Sequence, residues 1–259
     1  MVRFSETFMR GPVLVLISAL IGAFGAAPTV AAQPTRANGC QAVTYEEARY
    51  TVCRVDLRTH DLKLVLKGPD GEPYASLTRF VGSPAAKGVT MAMNAGMYHE
   101  DLSPVGLYVQ DGQEMKKLNR ARGPGNFHLK PNGVFYVANG QAGVLDTDAY
   151  VKRKLKVSLA TQSGPMLVID GELHPRFSDE GPSKKYRNGV GVRDGRNVVF
   201  AISDEPVSFG AFARLFRDEL DCRNALFLDG SVSSLHAADL NRTDISLKPI
   251  GPIIAAVKR

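Results

Sequence analysis

The sequence predicts an α+β domain: a mixed, mainly antiparallel sheet with helices packed on it. Most apolar segments are short runs or alternate with a period of two, which is typical of strands. Turn signals rich in glycine, asparagine and aspartate separate these segments, and the chain contains 25 Gly and 15 Pro. Only Phe209 to Leu220 carries its apolar residues at helical spacing.

Length and composition narrow the class of protein. The chain has 259 residues, of which 44% are hydrophobic and 22% charged, close to globular averages. These values exclude a disordered chain, a coiled coil and a collagen-like chain. No linker or repeat interrupts residues 45–259, which we expect to form one domain. The net charge of +6 includes no run of five basic residues, so no nucleic-acid partner is expected.

The N-terminal residues 1–32 have the pattern of a signal peptide. Arg3 and Arg10 precede an apolar stretch, Val13 to Ala27, and small residues follow up to Ala32. This stretch is shorter than the roughly 20 residues that cross a bilayer as a helix. We therefore expect cleavage after Ala32, export to the periplasm or medium, no stable membrane anchor, and a tether over residues 33–44.

Export would place the three cysteines in an oxidising compartment. Cys40 and Cys53 are close enough in sequence to form a disulfide, which would leave Cys222 unpaired. The alternative is three reduced, buried thiols. No Cys/His array has zinc spacing, so neither a metal nor another cofactor is expected.

The predicted strands follow the chain in order. In the first half they comprise a hairpin of Tyr50–Leu57 with Asp61–Lys67, a buried strand Val89–Asn94, a strand Val105–Gln110, and a hairpin of Asn126–Lys130 with Val134–Val137. In the second half they comprise Pro165–Ile169, a hairpin of Asn188–Val192 with Asn197–Ile202, and Ala225–Leu228. The predicted helix Phe209–Leu220 begins after Ser208, a typical N-cap residue.

The segment after the last of these strands is the strongest candidate for a site. Asp229 follows a buried run, Gly230 allows a ligand to approach the backbone, and Ser231 and Ser234 offer hydroxyls. A carboxylate held at the end of a buried strand is rigid. The alternative is a plain turn in which Asp229 caps local N–H groups.

Other polar residues also stand at the ends of predicted strands or in Gly/Pro loops. Asn94 can donate to and accept from sugar hydroxyls, and Gly96 follows it. Further candidates for substrate binding, each of which could be a plain turn residue, are Asn126, Ser163 and Gly164.

Two charged residues complete the set of candidates. Arg187 precedes an apolar strand, and its guanidinium could grip a phosphate with two parallel hydrogen bonds. An ion pair with Asp229 or Glu205 is an equally good interpretation. Glu205 follows another strand and could supply a second carboxylate.

Taken in order, these segments resemble the phosphodiester glycosidase family. The similarity rests on Asn94 to Tyr98, Gly106-Leu107, Ser163 to Pro165, Arg187, and Leu228 to Gly230 after an amphipathic helix. It covers about Val89 to Leu235 and is nearest to a bacterial exported branch. Ala95 and Ser231 stand where the family usually has glycine, so the substrate need not be the familiar one.

The resemblance implies an exported hydrolase that cleaves a sugar-1-phosphodiester at the anomeric carbon. Asp229 would be the catalytic carboxylate, with Glu205 second, Arg187 the anion clamp, and Asn94 a contact to the sugar or phosphate. An alternative is a non-catalytic envelope module that binds a glycan with the same loops. A third candidate, a metal-dependent phosphodiesterase, is disfavoured because histidines and carboxylates are sparse in the sequence.

Overall fold

The computed structural model describes residues 1, 2, 38–178, 181 and 183–259, and residues 36–259 form one compact unit. The predicted signal peptide lies outside the described residues except for Met1 and Val2. Residues 33–37 of the predicted tether also lie outside them.

The strands are β1 Gly39–Tyr45, β2 Ala48–Asp56, β3 His60–Val65, β4 Val89–Asn94, β5 Tyr108–Gln110, β6 Gln113–Lys116, β7 Gly133–Ala138, β8 Gln141–Asp146, β9 Leu159–Ser163, β10 Met166–Ile169, β11 Glu172–Leu173, β12 Asn188–Val192, β13 Asn197–Ser203, β14 Asn224–Phe227, β15 Leu235–Ala237, β16 Arg242–Thr243 and β17 Ile253–Lys258. The helices are α1 Leu77–Val81, α2 Thr147–Arg153 and α3 Phe209–Arg214, which continues as a π turn over Leu215–Glu219.

The strands form three sheets. Seven strands pair in the order β1-β2-β13-β12-β14-β10-β11, five in the order β16-β15-β4-β17-β3, and five in the order β6-β5-β9-β7-β8. Every pairing among these strands is antiparallel. The expected mainly antiparallel single domain is therefore confirmed, but three antiparallel sheets replace the one mixed sheet.

The main core lies where the three sheets face one another. Met91, Phe135 and Leu226, one from each sheet, belong to the same buried cluster. A second cluster covers the other face of the seven-stranded sheet and includes Phe212 and Phe216 from the α3 segment. The central strands of this sheet are buried on both faces, which explains why they read as continuous apolar runs.

The helix expected over Phe209–Leu220 is present as α3 and its π turn. The Ser208 side chain accepts a hydrogen bond from the Ala211 N–H at 3.0 Å, as an N-cap does. The chain then enters β14, which lies between β12 and β10 in the seven-stranded sheet. This helix therefore leads directly into the strand that precedes Asp229.

Two predicted hairpins are wrong. Strand β2 pairs with β1 and β13, whereas β3 belongs to another sheet and pairs with β17. Residues Asn126–His128 form a 3₁₀ turn, and β7 pairs with β8 and β9 instead. Alternation of apolar residues identifies a strand, but its partner depends on which neighbouring edge is open in the folded sheet.

The N-terminal boundary also differs from the expectation. Strand β1 begins at Gly39, inside the predicted tether, and Cys40 lies opposite Cys53 on β2. These two cysteines form a disulfide, while Cys222 is a buried free thiol. Burial raises the pKa of the Cys222 thiol to about 12, which keeps it protonated and unreactive at neutral pH.

Candidate active site

Asn94 joins two sheets at the point where β4 ends. Its Oδ1 accepts hydrogen bonds from Asn188 Nδ2 and from the Ser234 N–H, both at 2.9 Å. Its Nδ2 donates to the Asp229 carbonyl at 2.7 Å. The side chain is fully buried, and both lone pairs of its oxygen are in use. Asn94, predicted to contact substrate, therefore positions the backbone on either side of Gly230.

Arg187 and Asp229 lie across from each other on adjacent strands. Gly189 of β12 pairs with Phe227 of β14, and Leu228 N–H donates to the Asn188 carbonyl at 3.0 Å. One residue beyond Asn188 and Leu228, the same register places the backbone of Arg187 opposite that of Asp229. The backbones of the two charged candidates therefore lie opposite each other, just beyond the ends of β12 and β14.

Gly230 lies where the loop crosses this strand pair at very short range. A Cβ atom on Gly230 would stand 2.8 Å from the Tyr186 carbonyl oxygen and 2.7 Å from the Phe227 ring. Any other residue would push the loop away from the strand ends. The glycine therefore holds the Asp229 backbone against the Arg187 segment.

Asp229 is a desolvated carboxylate. Its Oδ1 accepts one long hydrogen bond, 3.3 Å, from the Ser231 N–H at the start of a 3₁₀ turn over Gly230–Val232. Burial raises the pKa of the carboxyl above its ordinary value, and this single N–H only partly offsets the rise. Among the residues that the structure describes, no cation forms an ion pair with it. Asp229 therefore caps the turn, as the alternative interpretation expected, and its half-buried carboxyl holds a proton more tightly than an exposed one.

The Arg187 guanidinium is buried without a carboxylate partner in the described chain. Its Nε donates to the Val207 carbonyl at 2.9 Å, and Nη2 donates to the Ser183 carbonyl at 2.8 Å. Its carbon lies 3.5 Å from the centre of the Phe209 ring. Burial lowers the pKa of Arg187 to about 10, so it remains charged at neutral pH. The ion pair with Asp229 or Glu205 that the sequence allowed is not formed.

Glu205 lies apart from this pair. Its carboxylate accepts the Arg49 N–H at 2.6 Å, and the Arg49 Nε lies 3.9 Å away. It lines a different cleft, next to Glu46, Ser208 and Lys184. The structure therefore does not bring the predicted second carboxylate to Asp229.

The other residues predicted to bind substrate lie in three different environments: an exposed turn, a buried strand end and two closely packed glycine positions. Asn126 is exposed at the start of its 3₁₀ turn. Ser163 is buried at the end of β9, and its hydroxyl has no hydrogen-bond partner in the structure. Gly96 and Gly164 allow close packing, because a Cβ on Gly96 would meet the Thr161 hydroxyl and one on Gly164 would meet Asn132.

A cleft of about 660 Å³ begins beside the Asp229 turn. Ser231 is exposed on its wall, whereas Ser234 is buried and donates through Oγ to the Val232 carbonyl at 3.0 Å. Asp229 and Arg187 do not line this cleft. Their sequence neighbours Gly230 and Tyr186 do line it, so the cleft is next to the Asp229 turn along the chain.

An arginine on the far wall fixes the shape of the cleft. Arg242 binds the Asp204 carboxylate at 2.8 Å and both oxygens of Asp244 at 2.9 Å. Asp244 in turn accepts the Leu235 N–H at 2.9 Å. These two carboxylates are neutralised by Arg242 and hold the segment after Ser234 in place.

Sequence reasoning missed two residues next to Asp229. Asn188 forms the Asn94 pair, and the signal for it was an amide inside a run of buried residues. Tyr98 donates through its hydroxyl to the Pro249 carbonyl at 2.8 Å. Burial, followed by the negative charge of Asp229, raises the pKa of Tyr98.

No group of three or more His, Cys, Asp or Glu side chains in the described part of the chain is arranged to hold a metal ion. None of the helices there has the length and apolar character that a bilayer crossing requires.

Comparison with known protein families assigns the chain to one of them. The model of the phosphodiester glycosidase family matches residues 87–256, which include Asn94, Arg187 and Asp229. The chain belongs to this family. The resemblance inferred from the ordered motifs is thereby confirmed, and all four residues predicted to be catalytic lie within the matched range.

The chain is also similar in sequence to one curated protein and in fold to two solved structures. The chain is 38% identical over 183 residues to the uncharacterized protein YigE of Escherichia coli, covering 70% of this chain and 72% of that protein. It is similar in fold to the catalytic domain of zebrafish N-acetylglucosamine-1-phosphodiester alpha-N-acetylglucosaminidase, auto-inhibited by its pro-peptide, with TM-score 0.56, 14% identity, and coverage of 85% and 81%. A hypothetical protein from Synechocystis matches with TM-score 0.53 and 14% identity, covering 85% of this chain and 61% of that one.

Proposed function

We propose that this phosphodiester glycosidase is an exported hydrolase that cleaves a sugar-1-phosphodiester between the anomeric carbon and the phosphate oxygen. The observation that carries the proposal is the strand register that sets the backbones of Asp229 and Arg187 opposite each other, just beyond the ends of β14 and β12. One is a carboxylate made basic by burial, and the other is a buried cation without a carboxylate partner among the described residues.

Arg187 is the group that binds the phosphate. Two of its five N–H donors are held by the Val207 and Ser183 carbonyls, and the Phe209 ring fixes the plane of the guanidinium. The side chain is 1% exposed, so a phosphodiester anion would contact the remaining donors only by reaching this buried group. A buried cation without a counter-charge has a high electrostatic free energy, and the phosphate of the substrate would lower it.

Asp229 acts as the general base. Burial raises the pKa of its carboxyl, which makes the carboxylate a stronger proton acceptor than an exposed aspartate. A water molecule attacks the anomeric carbon and passes its proton to Asp229, while the bond from that carbon to the phosphate oxygen breaks. The products are a free sugar and a phosphate monoester.

The leaving group explains why a second carboxylate is not needed at the site. The phosphate monoester leaves as an anion stabilised by Arg187, so protonation by a general acid contributes little. Consistent with this, Glu205 is bound to Arg49, and Asp204 and Asp244 are bound to Arg242. Because water attacks directly, the configuration at the anomeric carbon should be inverted.

Hydrolysis in water enriched in ¹⁸O tests the cleaved bond. We expect the label in the sugar and none in the phosphate monoester, on a panel of sugar-1-phosphodiesters with methyl aglycones, with or without a chelator. Label in the phosphate would show cleavage of the P–O bond and would overturn the glycosidase assignment. Proton NMR of the first-formed sugar anomer then tests the inversion.

The same panel of sugar-1-phosphodiesters distinguishes the hydrolase from the alternative, a non-catalytic glycan-binding module. If no member is cleaved but one binds equally well to the wild type and to Asp229→Asn, the chain is a binding module and the catalytic role of Asp229 is wrong. Export is tested separately, by the intact mass of protein from a secreting host. We expect an N-terminus at Gln33, and a retained apolar segment would contradict it.

A further inference from the structure

The excess positive charge of the chain is concentrated in one stretch, Lys117 to Lys156. This stretch holds eight of the 32 basic residues and two of the 26 acidic residues, so its net charge is +6. The remainder of the chain contains 24 of each and is neutral. The eight cations, here called the basic face, are Lys117, Arg120, Arg122, Lys130, Lys152, Arg153, Lys154 and Lys156.

Contacts place the basic face on the outer side of the sheet β6-β5-β9-β7-β8. This side carries its own apolar cluster, against which Leu118, Tyr150 and Val157 pack. Leu118 follows Lys117, Tyr150 belongs to α2, and Val157 follows Lys156. The two basic segments therefore lie over the same sheet face, and the rings of Tyr136 and Tyr150 contact each other at 5.7 Å between them.

Further contacts join the two segments. Arg120 forms an ion pair at 2.9 Å with Asp148 of α2. Arg120, Arg122 and Lys130 line one cavity of about 450 Å³ together with the start of α2. The pKa of Lys130 is lowered mainly by burial, with a contribution from Arg120, as expected of neighbouring cations.

The two acidic residues of the stretch are already in use. Asp146 is the N-cap of α2 and accepts the N–H groups of Asp148 and Ala149, both at 3.0 Å. Asp148 pairs with Arg120. The other seven cations form no ion pair with any acidic residue that the structure describes, and all eight are exposed.

We propose that the basic face binds the anionic phospholipid headgroups of a bilayer. Five of the eight cations lie outside the cavity that Arg120, Arg122 and Lys130 line, so the charge is not confined to one groove. This fits a flat charged surface better than a single polymer chain. Val151 is 40% exposed among them and can enter the headgroup region. The two aromatic rings of this face are half-buried against each other and offer no platform for stacked bases.

Binding of this kind is reversible and needs no membrane-spanning segment. Each Lys or Arg near an anionic surface adds to the attraction, which weakens as salt shortens the Debye length. None of the eight cations lines the cleft beside Asp229. The proposal is therefore independent of the proposed hydrolase activity.

Vesicle sedimentation tests the proposal directly. Protein from residue 33 onward should sediment with vesicles of equal phosphatidylglycerol and phosphatidylcholine at low salt, but not with phosphatidylcholine alone or at 0.5 M salt. The double variant Lys152→Glu/Lys156→Glu should bind at least about tenfold more weakly. The matched control Lys63→Glu/Lys87→Glu carries the same charge change on exposed residues elsewhere and should bind about as well as the wild type.

A fluorescent reporter locates the contact, because the chain contains no tryptophan. Val151→Trp should shift its emission to the blue on anionic vesicles and be quenched by brominated lipids. Leu247→Trp, at a fully exposed position on the rim of the cleft, should not respond. Equal loss of binding in both double variants, an unresponsive Val151→Trp, or tighter binding to RNA or heparin than to vesicles would overturn the proposal.

Discussion

Asp229 and Glu205 follow the same sequence pattern and have opposite environments. Each comes after a strand of the seven-stranded sheet. Asp229 is desolvated, accepts one long hydrogen bond and lies opposite a buried arginine. Glu205 is 37% exposed at its side chain and is held by the backbone and side chain of Arg49. The comparison shows that position after a strand does not make a carboxylate reactive, whereas loss of water without gain of a cation does.

The largest difference should appear on removing each negative charge. Asp229→Asn should lower turnover by about a thousandfold or more, since the amide keeps the hydrogen bond to Ser231 but accepts no proton. Turnover is measured on the best sugar-1-phosphodiester, and Tm on the same preparation. A stable, active Asp229→Asn enzyme would show that the carboxylate does not take part in the reaction.

Replacing the cation opposite Asp229 should have the next largest effect. Arg187→Lys keeps the charge but loses the planar fork, the contact with Phe209 and at least one of the two carbonyl hydrogen bonds. We expect kcat/KM to fall by roughly ten- to a hundredfold. The matched control is Arg49→Lys beside Glu205, and equal rates for the two variants would argue against a role for Arg187 in binding the phosphate.

The support beneath Asp229 can be removed without touching the carboxylate. Asn94→Ala deletes three hydrogen bonds and leaves the buried Ser234 N–H and Asn188 Nδ2 with one acceptor fewer. We expect a loss of about 2–4 kcal/mol in the free energy of unfolding. Denaturant unfolding measures this, and an unchanged midpoint would contradict the positioning role of Asn94.

The pH dependence of stability should also separate the two carboxylates. The folded-state pKa of Asp229 is raised by burial, so the folded protein binds the proton more tightly than the unfolded chain. Stability from this group is present at acid pH and decreases as the pH rises from the unfolded-state pKa through the folded one. As the pH rises over that range, the Tm of Asp229→Asn should therefore increase by a few degrees relative to the Tm of the wild type. A constant difference in Tm would mean that Asp229 is not desolvated.

The smallest effect is expected at Glu205 itself. Glu205→Gln removes a partly exposed ion pair with Arg49, and such pairs contribute about 0–1 kcal/mol. Turnover should stay within about twofold of the wild type. A loss comparable to that of Asp229→Asn would reverse the comparison and make Glu205 the catalytic carboxylate.

The sequence by itself determined the strand-rich, mainly antiparallel fold class and the helix after Ser208. It also determined the disulfide candidates Cys40 and Cys53 and the ordered motifs of the family. These depend on local periodicity, capping and spacing, which neighbouring residues specify. It also singled out Asp229 and Arg187, because each charged residue interrupts or borders a buried run.

Only the tertiary structure decided which strands are partners and which polar residues share a site. It separated β2 from β3, placed Arg187 in register with Asp229, and left Glu205 with Arg49. It also showed that Asn94 is buried and hydrogen-bonded to Asn188, Ser234 and the Asp229 carbonyl. The physical reason is that strand register, desolvation and hydrogen-bond satisfaction depend on residues far apart in sequence, and their positions are fixed only when the sheets pack together.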